Sequence, residues 1–250
     1  MFQPIKQFTD LVDQGVLVVI NHSGGKDSQA TYNLLKDHVP ADQLVVVHAD
    51  LGRVEWLGTK DHIINTIDGR ELHVAKAIYK DGSDKDLLDM VRRRGKWPSS
   101  AQRYCTSDLK RGPCEKVIRR LSAETGRKVI ISCFGSRAEE SPARAKRPVW
   151  SQNKRQSVAG RSWYEYNPIH DLLIDDVFRV IAEAGQEPHW CYANGNDRMS
   201  CVFCIFGSKG DIRRGAQDRP ELAQEYIAVE RETGHTFRAD TSIEDIIKED

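Results

Sequence analysis

Six consecutive residues, Ser23-Gly24-Gly25-Lys26-Asp27-Ser28, separate an apolar run at 16–21 (VLVVIN) from a stretch with helical spacing at 27–38. Two adjacent glycines let a backbone approach an anion closely. The helix that follows turns its free N–H groups toward the same point. Lys26 adds a charge, and Ser23 and Ser28 add hydroxyl donors, so the segment has the makings of a pyrophosphate cradle. The plain alternative is an ordinary strand–helix turn in which Gly-Gly relieves strain and a serine caps the helix. The Walker pattern Gly-x-x-x-x-Gly-Lys-Ser/Thr is absent, which argues against an ordinary γ-phosphate hydrolase.

The cysteines carry the second chemical signal. Cys201 and Cys204 form a Cys-x-x-Cys pair, Cys191 lies ten positions earlier, and Cys105 is far upstream. Four thiolates suit a 4Fe–4S cluster or a structural zinc, and a redox dithiol also uses the pair. Spacing alone leaves these open. Cys114 falls in a helical pattern and Cys133 in a strand pattern, and both read as core residues.

These groups need a scaffold. The chain has 250 residues, 39% hydrophobic and 30% charged, with equal numbers of basic and acidic side chains. A net charge of zero lends no support to nucleic-acid binding, although the basic stretches KRQSVAGRS and SKGDIRRG leave it as an alternative partner. The longest apolar run is about six residues, against the roughly 20 that span a bilayer. The N-terminal residues lack the apolar core of a signal peptide, so no membrane partner and a cytoplasmic location are expected. Six cysteines in such a protein are expected to be reduced.

Apolar runs at 16–21, 44–48, 72–77 and 128–134 read as strands. Helical spacing is expected at 27–38, 56–67, 84–94, 106–124, 174–184 and 220–233, the last opened by Pro220. WYEYNPIHD holds a candidate last strand, SQNKRQSVAGRS reads as a polar loop, and 186–219 reads as irregular. Alternation of strands and helices predicts an α/β body, with a parallel sheet covered by helices on both faces. The expected division is a nucleotide-binding domain at 1–150 and a smaller, irregular cysteine-containing segment at 151–250.

Ser-Gly-Gly-Lys-Asp-Ser resembles the PP-loop of the ATP-pyrophosphatase superfamily. HADLG (His48, Asp50, Gly52), CTSDLKRGP (Cys105 to Pro113) and GSRAEESPAR (Gly135, Arg137, Glu140, Ser141, Arg144) resemble, in order, three blocks of the phosphoadenosine-phosphosulfate (PAPS) reductase-like family. The resemblance implies the Rossmann-like adenine nucleotide α-hydrolase fold. It implies a nucleotide, ATP or an adenylylated sulfate, held by Ser23, Gly24, Gly25, Lys26, Asp27, Ser28, His48, Asp50, Gly135 and Arg137. Lys26, Asp27, Lys110 and Arg137 would act in catalysis, with Mg²⁺ bridging the phosphates. Asp50 could equally cap the turn before Val54–Trp56, and Arg111 reads equally well as a solvated helix residue.

GNDRMSCVFC resembles the cysteine block of iron–sulfur relatives in this family, the adenylyl-sulfate reductases and the DndC-type proteins of DNA phosphorothioation. That branch implies a 4Fe–4S cluster beside the nucleotide, held by Cys105, Cys191, Cys201 and Cys204. Thiol-dependent PAPS reductases use a cysteine near the C-terminus, in a Glu-Cys-Gly-x-His setting. Residues 205–250 contain no cysteine. The leading expectation is therefore an ATP pyrophosphatase that passes sulfur to an unassigned acceptor, with a sulfur-donor protein as an expected partner. An adenylylated-sulfate reductase and a non-catalytic nucleotide-binding iron–sulfur sensor are the alternatives. Oligomeric state is not legible.

Overall fold

The structure, a computed structural model, describes residues 2–248. In chain order the elements are α1 (Lys6–Val12), β1 (Leu17–Asn21), α2 (Lys26–Leu35), β2 (Leu44–Asp50), α3 (Thr59–Thr66), β3 (Leu72–Lys76), α4 (Leu87–Arg94), α5 (Gly112–Thr125), β4 (Val129–Cys133), α6 (Pro142–Ala145), β5 (Trp150–Gln152), β6 (Ser162–Tyr166), α7 (Ile174–Glu183), α8 (Lys209–Asp218), α9 (Pro220–Thr233) and α10 (Ile243–Lys248). Six strands form one sheet in the order β3-β2-β1-β4-β6-β5. β1 pairs in parallel with β2 and β4, β4 pairs in parallel with β6, and β5 runs antiparallel to β6. The fold is α/β, with a mostly parallel sheet and helices around it, as expected.

The chain order reverses at β1, which has β2 on one side and β4 on the other. In an open parallel sheet that reversal leaves a crevice at the carboxyl ends of the strands. β1 suits its central place because Leu17, Val18, Val19 and Ile20 are all fully buried, as a strand covered on both faces requires.

The chain separates into two compact units, interleaved in sequence. The first takes residues up to 48, 60–74 and 115–188. Its core joins Phe8, Val18, Ile20, Tyr32, Ile63, Ile131 and Tyr166, and a satellite of Ala30, Ile169, Val177 and Ile181 seats α7 against α2. The second takes 49–59, 75–114 and the residues from 189 onward. Its core is aromatic: Tyr226 stacks on Trp97 with ring centroids 5.3 Å apart, and Phe203 and Phe237 meet it edge-on.

Several boundaries differ from expectation. Residue 150 falls inside the first unit, because β5 and β6 extend its sheet beyond β4. The stretch expected as one helix at 106–124 begins instead as a π-helical turn, Thr106–Arg111, before α5. α8 lies within the segment read as irregular. It forms because the Ser208 hydroxyl accepts the Asp211 N–H at 2.9 Å while the Asp211 carboxylate accepts the Ser208 N–H at 3.1 Å, a reciprocal cap. α4 starts three residues later than expected, where the Asp86 side chain accepts the Asp89 N–H, and it ends at Gly95 with φ +68°. No helix among the described residues is long and apolar enough to cross a membrane.

Candidate functional site

β1 ends at Asn21 and α2 begins at Lys26, so the four residues between them make the phosphate-loop turn. Gly24 has φ +80°, a conformation that glycine adopts without strain. The loop is held from within: Ser23 N–H donates to Ser28 Oγ at 3.1 Å, Ser28 Oγ donates to Gly25 O at 2.8 Å, and Gly24 N–H donates to His22 Nδ1 at 3.1 Å. Lys26 is buried at 3% exposure, and Asp27 is the acidic residue in the first turn of α2.

The chain leaving β4 approaches this turn. Asn21 Nδ2 donates to Cys133 O at 3.2 Å, tying the ends of β1 and β4 together. Gly135 then passes so close to α2 that a Cβ there would lie 2.7 Å from Asp27 O and 2.8 Å from Ser28 N. This contact explains the glycine: no side chain fits between the two segments. Two residues on, Arg137 is buried at 4% exposure and donates from Nε to Asp27 Oδ1 at 2.6 Å. Its Nη1 donates to Glu139. Burial works against its charge, but Asp27 first, then Glu139 and Glu140, hold the guanidinium more firmly protonated than usual. Lys26 and Arg137 thus converge on one carboxylate, Asp27, at the positive end of a ten-residue helix. Asp27 Oδ2 stands 3.4 Å from Lys26 Nζ. The expected members Ser23, Gly24, Gly25, Lys26, Asp27, Ser28, Gly135 and Arg137 all lie in this arrangement.

His22 was not legible as part of it. Because Nδ1 accepts the Gly24 N–H, the ring proton sits on Nε2 and the imidazole is neutral. Burial first, then His48 and His62, pushes its pKa down to about 3. His48 is buried as well, with Nδ1 3.0 Å from His22 O. His62 is pushed down by burial, and its Nε2 lies 3.3 Å from the buried Gln29 Oε1. A residue immediately before a glycine loop carries no periodic signal, which is why His22 escapes a reading by spacing.

The remaining candidates belong to the second unit. The Asp50 carboxylate accepts the Gly52 N–H at 2.8 Å at the start of a 3-10 turn, so it does perform the local capping weighed as its alternative. Lys110 sits in the π-helical turn, a distortion that is common at functional sites. Charge at Cys201 first, then at Cys204, Cys105 and Glu55, holds Lys110 protonated above its ordinary range against the opposing effect of burial. Burial first, with Cys204, Cys105 and Glu55 adding to it and Lys110 opposing, pushes the Cys201 thiol up to about 12. Cys105, Cys201 and Cys204 therefore share one electrostatic environment with Lys110. Cys191 is fully buried in the core of the same unit, and its N–H donates to His189 Nδ1 at 3.3 Å. Cys114 and Cys133 are buried too. Among the described residues, no three His, Cys, Asp or Glu side chains converge on a single metal-ion position.

The fit of this thiol group to an iron–sulfur cluster is tested by its surroundings. Lys110 supplies positive charge. Arg238 Nη2 donates to Cys204 O at 3.4 Å and to Gly207 O at 2.5 Å. The fully buried Tyr226 hydroxyl feels Cys201 and Cys204, and it has no hydrogen-bond partner in the protein. Soft thiolate donors, nearby cations and a spare donor suit an anionic cluster better than they suit an inert core.

The phosphoadenosine phosphosulfate reductase domain matches residues 17–206. The chain belongs to this family. Members and neighbours differ widely from it in sequence. An uncharacterised 37.8 kDa protein of Escherichia phage 186 is 31% identical over 140 residues, which are 56% of this chain and 41% of the phage protein. An uncharacterised protein of Methanocaldococcus jannaschii is 24% identical over 232 residues, 92% of this chain and 52% of its own length. The chain thus spans about half the length of these curated relatives. Among solved structures, the PAPS reductase of Candida auris in a phosphate complex superposes with a TM-score of 0.49 at 14% identity, covering 80% of this chain and 97% of that one. The Candida glabrata FMN adenylyltransferase, in complex with FAD and inorganic pyrophosphate, gives 0.46 at 13% identity, covering 74% and 55%.

Proposed function

We propose that this member of the family is an ATP pyrophosphatase that activates an acceptor for sulfur transfer, with an adenine nucleotide in the phosphate loop and a 4Fe–4S cluster at Cys105, Cys191, Cys201 and Cys204. The observation that carries the nucleotide half is the convergence of Lys26 and Arg137 on the first turn of α2, with Gly135 bringing the β4 segment into backbone contact. In this reading the loop N–H groups, Lys26 and Arg137 take the phosphate oxygens. They stabilise the charge that develops on pyrophosphate as the α-phosphorus is attacked. Asp27 is the loop carboxylate that would take Mg²⁺, a hard cation that binds oxygen. When bound, Mg²⁺ supplies further neutralisation of the phosphates.

In the second unit, Cys105, Cys201 and Cys204 would hold the cluster, and Cys191 would complete the set. The cluster supplies sulfur or electron transfer, and Lys110 offsets its negative charge. A nucleic-acid acceptor, a small-molecule acceptor and a sulfur-donor protein all remain outcomes of the test.

A second reading, reduction of an adenylylated sulfate, is favoured by the matched family's own name. It requires a nucleophile that residues 205–250 do not contain. Anaerobically purified protein separates the readings when pyrophosphate release from ATP and sulfite release from PAPS with a thiol donor are measured on one preparation. Pyrophosphate without sulfite supports the proposal, and sulfite supports the second reading. Neither product leaves a nucleotide-binding sensor.

A further inference from the structure

Tyr226 projects from α9 into the aromatic core of the second unit and is fully buried. Its ring stacks on Trp97 and meets Phe203 edge-on, with centroids 4.9 Å apart. Phe203 is the residue immediately before Cys204 in the Cys-x-x-Cys pair. Three aromatic neighbours, Trp97, Phe203 and Phe237, fix the ring plane, so the hydroxyl has one direction to point.

That hydroxyl finds no partner in the protein. A buried hydroxyl left unsatisfied costs about 1–3 kcal/mol, and such groups in folded proteins generally mark a missing ligand, ion or water. Phenylalanine would fill the same space without the cost. The apolar core therefore gives no reason for a tyrosine here. The thiols do, because Cys201 and Cys204 are the charged groups that bear on this ring most strongly.

The geometry points to the Tyr226 hydroxyl as a hydrogen-bond donor to a sulfur held at Cys201 or Cys204, setting the reduction potential of the cluster. This inference rests on the cluster reading above. A hydrogen bond to cluster sulfur favours the reduced, more negative state, so its loss lowers the potential. Tyr226 is a positioning and tuning residue in this account and makes no contact with the nucleotide chemistry.

The test compares the wild type with Tyr226→Phe, first iron-free and then after anaerobic loading with ferrous iron and sulfide. The iron-free variant is expected to melt at the wild-type temperature or higher, because an unsatisfied hydroxyl has been removed. After loading, the ratio of oxidised to reduced cluster at the wild-type midpoint potential is expected to rise about tenfold, equivalent to about 59 mV for a one-electron couple. A variant that melts normally yet loads less iron also supports the donor role. An unchanged ratio at equal iron content overturns the inference and leaves the cluster reading standing. An iron-free variant that melts lower, or does not fold, shows that the hydroxyl serves the protein itself and overturns it too. A wild type that takes up no iron overturns both.

Discussion

Gly135→Ala probes the phosphate site without touching a charged group. The added Cβ would sit 2.6 Å from Asp27 C, 2.7 Å from Asp27 O and 2.8 Å from Ser28 N. All three are backbone atoms, so no side chain can swing aside. With carbon contacts optimal near 3.5 Å, the β4 segment and the first turn of α2 must separate by about 0.8 Å. Overpacking of this kind costs about 1–3 kcal/mol of stability. The effect on the site should be larger, because Arg137 follows two residues later and its 2.6 Å bond to Asp27 spans the same gap. A misplacement near 1 Å is worth roughly a hundredfold in a preorganised site. Urea unfolding followed by tryptophan fluorescence reads the first quantity, and calorimetric titration with Mg²⁺·ATP reads the second. The reasoning fails if the variant unfolds at the wild-type midpoint and binds ATP equally well, since the two segments would then not be in obligatory contact.

Other outcomes follow from the same geometry. Arg137→Met leaves Asp27 without its buried partner and should lower stability by about 3 kcal/mol, read from denaturant midpoints. His22 is buried neutral with its pKa pushed down to about 3, below the ordinary value of 6.5. Between those values the unfolded chain binds the extra proton, so stability should fall on acidification by about 1.4 kcal/mol per pH unit from this group. His22→Asn should flatten that part of the profile, and an equal slope in the variant would refute the assignment. Gly215 packs against the Cys-x-x-Cys turn, where an added Cβ would meet Val202 Cγ1 at 2.8 Å. Gly215→Ala should therefore reduce iron incorporation while leaving ATP binding unchanged. Cys201→Ser should abolish the visible absorbance of a loaded cluster, and unchanged iron content would exclude Cys201 as a ligand.

The sheet and the phosphate loop were legible because their signals are local. β1 is a continuous apolar run, and Ser-Gly-Gly-Lys-Asp-Ser follows it at once. Gly135 and Arg137 were legible only through resemblance. Nothing in their own spacing says that one must lack a Cβ or that the other will reach Asp27, 110 positions away in sequence. The π-helical turn at Lys110 was missed because one widened turn leaves a 3.6-residue periodicity almost intact. β5 has three residues, fewer than an alternation needs to show itself. α8 has little apolar content to reveal it, and its reciprocal Ser208–Asp211 cap sits inside a stretch dominated by cysteine and glycine. The interleaving of the two units was beyond reach, since it depends on which distant segments share a core. Tyr226 was unremarkable in sequence for a related reason: only packing shows a buried hydroxyl without a partner.

The central claim is that the loop between β1 and α2 holds the phosphates of an adenine nucleotide. Calorimetric titration of Mg²⁺·ATP into the wild type and Lys26→Ala tests it most directly, with circular dichroism confirming that both are folded. Saturable binding by the wild type, weakened at least about tenfold in the variant by loss of one charge-assisted contact, is the predicted result. A wild type that binds no ATP, or a folded Lys26→Ala that binds it equally well, would contradict the account.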